Sequence, residues 1–204
     1  MLESALVYMY TEEHIYEDLN AALHQHDCTE KSLTSAEYNL AAYATALLAT
    51  LLYWQTLPEY SGTTFRVIGH VPNIDQALEK YKVGSNVVFP AFTSSSRVPL
   101  LHFGTSDEFI LLEIDNSQHS FWSPNDIAKL SDITGEQELL YPCLAEFKVM
   151  SRLAKKPYKN KFYHTIQLQL VENGNSLSDD AIPVGRSGQL HFFPILLALI
   201  NSMS

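Results

Sequence analysis

Two glutamates, Glu136 and Glu138, stand just before the apolar run Leu139-Leu140-Tyr141-Pro142. In an extended strand, a period of two puts both side chains on one face, ~7 Å apart. Like charges at that distance oppose each other and tend to raise one pKa. A solvated strand edge is the plain reading of such a pair. The chemical reading is breakage of a glycosidic bond, in which one carboxylate steadies an oxocarbenium-like transition state and the other handles a proton. Upstream, Arg66 sits in the apolar segment TFRVIGH, Thr64 to His70, where a cation is expensive to bury without a partner. An exposed strand face or an ion pair would account for it. The alternative is a planar donor fork presented to a phosphate or a ribose. Between these two places, VVFPAFTSSSRVP (Val87 to Pro99) carries four hydroxyl residues, Thr93 to Ser96, beside Phe89 and Phe92. This is a polar strand end or a helix cap, or else the wall of a site for a flat heteroaromatic ring flanked by a sugar.

Such residues need a scaffold, and the first half of the chain reads as helices. Thr11 precedes Glu12 and Glu13, and Tyr16, Leu19 and Leu23 recur at helical spacing. This predicts a helix over about 12–24 with its acids at the favourable N-terminal end. Thr34 and Glu37 fit a capping box, opening a long apolar helix that runs to about Gln55 and stops before Pro58. A third helix is predicted from Asn73, carrying Ile74, Ala77, Leu78 and Tyr81 and ending at Gly84. The rest reads as strands over 64–71, 86–94, 108–115, 137–140, 145–152 and 161–171. The last alternates at Phe162, His164, Ile166, Leu168 and Leu170. No repeat or linker interrupts the pattern. The expectation is one α+β domain over 1–204, with a helical part over about 1–60. The β-rich part, about 61–204, forms a two-sheet, mostly antiparallel core.

Thirteen Lys+Arg against 23 Asp+Glu leave a net charge of −10, which repels phosphate backbones and argues against nucleic-acid or anionic-membrane partners. A nucleotide needs only one local cationic site, so it remains admissible. The basic run Lys155, Lys156, Lys159 and Lys161 reads as a solvated turn around Pro157, or as a contact for an acidic partner. Cys28 and Cys143 lack metal-ligand spacing and the eight histidines are scattered, so no metal is expected. There is no Asn-x-Ser/Thr sequon, and the N-terminus lacks the basic start and apolar centre of a signal peptide. The uncharged stretch Leu40 to Trp54 falls short of the ~20 residues of a membrane span and reads as a buried helix. Leu190 to Ile200 reads as a closing strand or core segment, with a lipid-anchor signal as the alternative. No membrane span is expected.

In order and separation, Arg66, then the F-T-S-x-S run from Phe92 to Ser96, then E-x-E at Glu136 and Glu138 resemble one family. It is the arginine-specific mono-ADP-ribosyltransferases of the R-S-E type, which include vertebrate ecto-enzymes and several bacterial toxins. VYMYTEEHIYEDLNAAL, residues 7–23, also looks like the N-terminal helical segment of the vertebrate branch, and the resemblance spans roughly 5–153. It implies a fold with an NAD cleft, and transfer of ADP-ribose from NAD to an arginine-containing protein acceptor with release of nicotinamide. NAD is then a co-substrate, and no metal is implied. Arg66 matches the arginine that holds the dinucleotide. Ser94 matches the first serine, on the nicotinamide ribose side, and Ser96 the second. Glu138 matches the catalytic glutamate that bonds the ribose 2′-hydroxyl. Glu136 matches the glutamate that orients the acceptor guanidinium and takes its proton. Val67, Phe89 and Phe92 complete the implied dinucleotide site. The chain departs from the family at Val67 and Ile68, where a small residue is usual and Gly69 comes two positions late. It departs again at Cys143, where a second proline is common. In the acceptor-facing loop, about 120–135, Trp122 beside Phe121 either meets the target protein or packs inward. By resemblance the protein is secreted or at the cell surface; the missing signal peptide makes the cytoplasm the alternative. An NAD glycohydrolase using the same cleft, or a non-catalytic relic acting as a binding module, are the competing readings.

Overall fold

The computed structural model describes residues 2–25, 35–53, 57–131, 135, 137–171 and 182–183. Three helices open the chain: α1 (Leu2–Thr11), α2 (Glu13–Gln25) and α3 (Ser35–Tyr53). The helix predicted over 12–24 is α2. The first helix lies within the helical part expected over about 1–60, though the sequence sets no bounds for it; it buries Val7 and Tyr10, one turn apart. It ends where the Thr11 hydroxyl donates to Tyr8 O at 2.7 Å, a local bond that competes with helix continuation. Ala44, Leu47, Leu48 and Leu51 of α3 are buried at the spacing of one helical face. Tyr43 on the same helix donates its hydroxyl to Leu6 O at 2.6 Å, tying α3 to α1. Thr34, Gln55 and the Glu37 side chain lie outside the described residues.

The fourth helix, α4 (Ile74–Glu79), begins as expected at Asn73, whose Oδ1 accepts from Gln76 N at 3.1 Å. It stops at Glu79 and not at Gly84. The chain there is drawn away into strand pairing: Gly84 N donates to Val149 O at 2.8 Å, and the turn that delivers it needs φ of 88° at Gly84.

Ten strands follow. They are β1 (Thr63–Ile68), β2 (Asn86–Phe89), β3 (Thr93–Ser96), β4 (Glu108–Asp115), β5 (Asn125–Asp126), β6 (Glu138–Tyr141), β7 (Ala145–Arg152), β8 (Lys156–Tyr158), β9 (Lys161–Leu170) and β10 (Ile182–Pro183). Their order is β10-β2-β7-β9-β4-β1-β3-β6-β5, with β8 pairing β9. The pairs β4–β9 and β2–β10 are parallel and the others antiparallel. The strand expected over 86–94 is two strands, because Pro90 has no N–H to continue the ladder. After it the chain leaves β7 and pairs with β6. The two expected sheets are joined into one hydrogen-bonded path. The seam is narrow, with Phe65↔Ser96 as the one register pair between β1 and β3.

The core fills with Phe89, Tyr141 and Phe147, whose rings meet at 4.8 and 5.2 Å. Ile166, Leu168 and Leu170 alternate inward on β9, whereas Phe162 is exposed at the open end of that strand with the Lys155 ammonium over its ring. Trp122 is buried, so of the two readings of that ring the inward one holds. The basic run is a bonded turn: Lys155 pairs with Glu108 at 2.9 Å, and Lys161 donates to the carbonyls of Gly104 and Thr105. Cys143 is a buried free thiol, while Cys28 lies outside the described residues. Among the described residues, no helix is long and apolar enough to cross a membrane. The apolar segment 190–200 lies outside them.

Candidate active site

The strand order brings the separated motifs together. Arg66 is on β1, Ser94 and Ser96 on β3, and Glu138 opens β6, three strands that are neighbours in the sheet. Phe65, Ser96 and Glu138 stand in one row across them. A buried polar network holds β1 against β6. The Thr64 and Tyr141 hydroxyls are 2.6 Å apart, Tyr141 donates to Asn116 Oδ1 at 2.8 Å, and Asn116 Nδ2 donates to Gly62 O at 3.0 Å. Each of these groups is satisfied internally, so the network fixes strand placement without leaving a desolvated donor.

Arg66 is half-buried, and its Nη1 donates to Ser94 O at 2.6 Å. Burial pushes its proton affinity down, while Tyr10, Tyr81 and Glu138 act in the opposite sense. Arginine keeps its charge under such pressure. Among the described residues no carboxylate is ion-paired with it, so most of its donor fork is available to an anionic ligand. A cavity of about 620 Å³ opens over this fork. Arg66, Ile68, Ile110 and Leu112 line it from β1 and β4, and Phe89, Phe92 and Thr93 from β2 and the start of β3. Tyr16 and Asn20 come from α2, and Gln76, Lys80 and Tyr81 from α4 and its C-terminal end.

Tyr10, Tyr16, Asn20 and Tyr81 were not singled out from sequence as site residues. Tyr10 donates its hydroxyl to Phe92 O at 3.2 Å and accepts from Asn20 Nδ2 at 3.0 Å, with its ring edge-on to Phe92 at 5.6 Å. Burial raises the Tyr10 phenol, so it remains a neutral donor. Asn20 Oδ1 is buried and finds no hydrogen-bond partner among the described residues. The signal that could have found this pair is the helical spacing of Tyr16 and Asn20, one turn apart on α2.

Phe89 and Phe92 line the cavity with Arg66, and Ser94 follows Thr93 beside it. Ser96 and Glu138 stand further along the row, outside its wall. Val67 alternates to the opposite face of β1 from Arg66 and does not line the cavity. Glu138 is 7% exposed, and its Oε2 accepts from the Ser131 hydroxyl at 2.5 Å. Glu136 lies outside the described residues. The extended backbone expected across the glutamate pair is not present, because β6 begins at Glu138 and Gln137 before it has φ of 49°. That left-handed residue ends the extended backbone, so a period of two does not relate Glu136 to Glu138. Among the described residues, no group of three or more His, Cys, Asp or Glu side chains is arranged to hold a metal.

The sequence matches no protein-family model and no curated protein. Its fold, by contrast, is shared with solved ADP-ribosyltransferases. The structure of Vis, a toxin from Vibrio splendidus, in complex with agmatine superposes with a TM-score of 0.68 at 21% identity, covering 91% of this chain and 81% of that one. An ADP-ribosyltransferase toxin from Paenibacillus larvae gives 0.63 at 14% identity, over 84% and 87% of the two chains. The ADP-ribosyltransferase HopU1 of Pseudomonas syringae gives 0.60 at 19% identity, over 83% and 76%. The protein therefore has the ADP-ribosyltransferase fold, α+β with N-terminal helices packed on a mostly antiparallel sheet.

Proposed function

We propose that this protein cleaves NAD and transfers its ADP-ribose to an arginine side chain of a protein acceptor, releasing nicotinamide. One observation carries the reading. Arg66, Ser94 and Glu138, distant in sequence, meet on three adjacent strands beside a cavity of about 620 Å³, within a fold shared with ADP-ribosyltransferases. That volume lies within the range of about 300–1,000 Å³ usual for small-molecule sites.

Each group has a distinct task in this reaction. Arg66 binds the anionic part of the dinucleotide through the donors that Ser94 O leaves unused. Ser94 supports the ribose next to the nicotinamide, and Phe89 and Phe92 provide flat apolar wall. The bond from ribose C1′ to the pyridinium nitrogen breaks, and its electron pair neutralises the departing ring, so no acid is required. Glu138 takes the ribose 2′-hydroxyl as hydrogen-bond donor and stabilises the positive charge developing at C1′. A guanidinium is a poor nucleophile until a base removes a proton, and Glu136 is the base. The neutral guanidine nitrogen then bonds to C1′. Agmatine, which occupies the Vis complex, is a free guanidino compound and a suitable test acceptor here.

The test is incubation with labelled NAD, with and without agmatine, followed by product analysis. ADP-ribosyl-agmatine is the expected product. Free ADP-ribose alone would replace the transferase reading with a glycohydrolase. Intact NAD would leave a binding module.

A further inference from the structure

Glu138 is almost wholly buried, and a carboxylate in that position needs a fixed partner to point one way. Among the described residues one side chain donates to it: Ser131, at 2.5 Å from Oε2. Seven residues separate the two, and the stem on the Ser131 side is built in detail. Ile127 N donates to Glu138 O at 3.1 Å, which registers the stem against β6. Leu130 N and Ser131 N both donate to Ile127 O, at 2.8 and 2.9 Å, which coils the chain so that the Ser131 side chain turns back onto the carboxylate. Asp126 starts the coil, its Oδ1 accepting from Ala128 N at 3.1 Å. Asp126 is itself held by Arg97, the residue after Ser96, whose guanidinium rests 5.0 Å from the Tyr60 ring centroid.

We infer that Ser131 is a positioning residue for Glu138: its hydroxyl engages Oε2 and thereby directs Oε1 toward the ribose hydroxyl that Glu138 must hold. The inference rests on the reading that Glu138 acts on the ribose of NAD. At this spot the hydroxyl supplies a hydrogen bond to a charged group. Its loss therefore falls on the orientation of the carboxylate in the transition state and leaves dinucleotide binding through Arg66 intact.

The experiment compares Ser131→Ala, Ser131→Thr, Glu138→Gln and the Ser131→Ala/Glu138→Gln double variant, reading kcat, KM for NAD and thermal midpoint. Ser131→Ala lowers kcat by about 10- to 100-fold, the scale of one hydrogen bond to an ion. KM stays within about twofold, because the interaction is made by the reacting end of the site. Ser131→Thr keeps the hydroxyl and restores most of the rate. In the double variant the serine change adds nothing to the glutamine change, because both act through one carboxylate. Wild-type kcat in Ser131→Ala, with Glu138→Gln inactive, overturns the positioning role alone. So does a fall in thermal midpoint that threonine does not repair, which would make Ser131 a structural residue. Retention of activity in Glu138→Gln overturns the underlying reading as well.

Discussion

Replacing Arg66 with lysine separates geometry from charge. The native guanidinium has five N–H donors, and one of them is committed to Ser94 O at 2.6 Å. The remaining donors lie in a rigid plane and can grip an anion through two parallel bonds. A lysine ammonium keeps the positive charge but gathers all its donors on one nitrogen. If that nitrogen satisfies Ser94 O, it cannot also offer a parallel pair. The variant therefore loses one bond to a charged group in the bound state, about 1.5–3 kcal/mol. This is an increase of about 10- to 100-fold in Kd. Stability changes little, because the half-buried site retains a cation near Glu138 and a donor for Ser94 O. A shift within about 1 kcal/mol moves the midpoint by about 2–4 °C in a chain of this size. ADP-ribose is the proper ligand for calorimetric titration, since it carries the pyrophosphate and both riboses and is not consumed. An unchanged Kd for ADP-ribose would refute the argument, for the fork would then have no ligand to grip.

Glu138→Gln should cut turnover by at least about 100-fold, the scale of a lost transition-state contact, with ADP-ribose affinity kept; joint loss of both would make Glu138 structural. Glu136→Gln should abolish transfer to agmatine and spare NAD hydrolysis, and equal loss of both activities would contradict that division. Glu108 accepts from His164 at 2.7 Å and Lys155 at 2.9 Å, and these bonds, His164 first, hold its carboxyl below the ordinary value of 4.5. A lowered folded-state pKa contributes stability above the ordinary value and loses it as pH falls through the folded value. Thermal scans should therefore show Glu108→Gln less stable than wild type at neutral pH and the gap closing below pH 4.5; a gap that widens in acid would reverse the sign. Burial raises the Cys143 thiol far above the usual range, so it should resist iodoacetamide in the native protein and react in denaturant, as peptide mapping can read. Rapid native labelling of Cys143 would show that the interior opens there.

The elements most legible in the sequence were those with sustained periodicity. Glu108–Asp115 and Ala145–Arg152 carry long β-rich runs, and both were bounded correctly. Helix α1 falls within the helical part expected over about 1–60 but takes no bounds of its own from the sequence, because its inward face offers only Val7 and Tyr10 in the first ten residues, too few to establish a period. Strands β2 and β3 read as one run because both flanks of Pro90 are β-rich, and only the proline's missing N–H marks the break. Motif order singles out Arg66, Ser94 and Glu138, which the fold carries on three neighbouring strands, yet it could not report which face of β1 Val67 would take. Nor could it foresee a left-handed Gln137, since nothing in that side chain demands φ of 49°. Ser131 carries no signal of its own, and Asn20 only its helical spacing from Tyr16. Turns and helix packing bring them to Glu138 and the cavity.

The sequence separations spanned by the site set a condition on how the protein reaches its working state. Arg66 meets Ser94 across 28 residues, β4 and β9 meet across 54, and Thr64 meets Tyr141 across 77. Each closure spends chain entropy before any of its contacts form, and parallel pairing at the centre of the sheet cannot be made by a local hairpin. No stretch of the chain contains a miniature of the site. A refolding population should regain helicity before it regains turnover, with enzymatic activity marking the completion of the central strands.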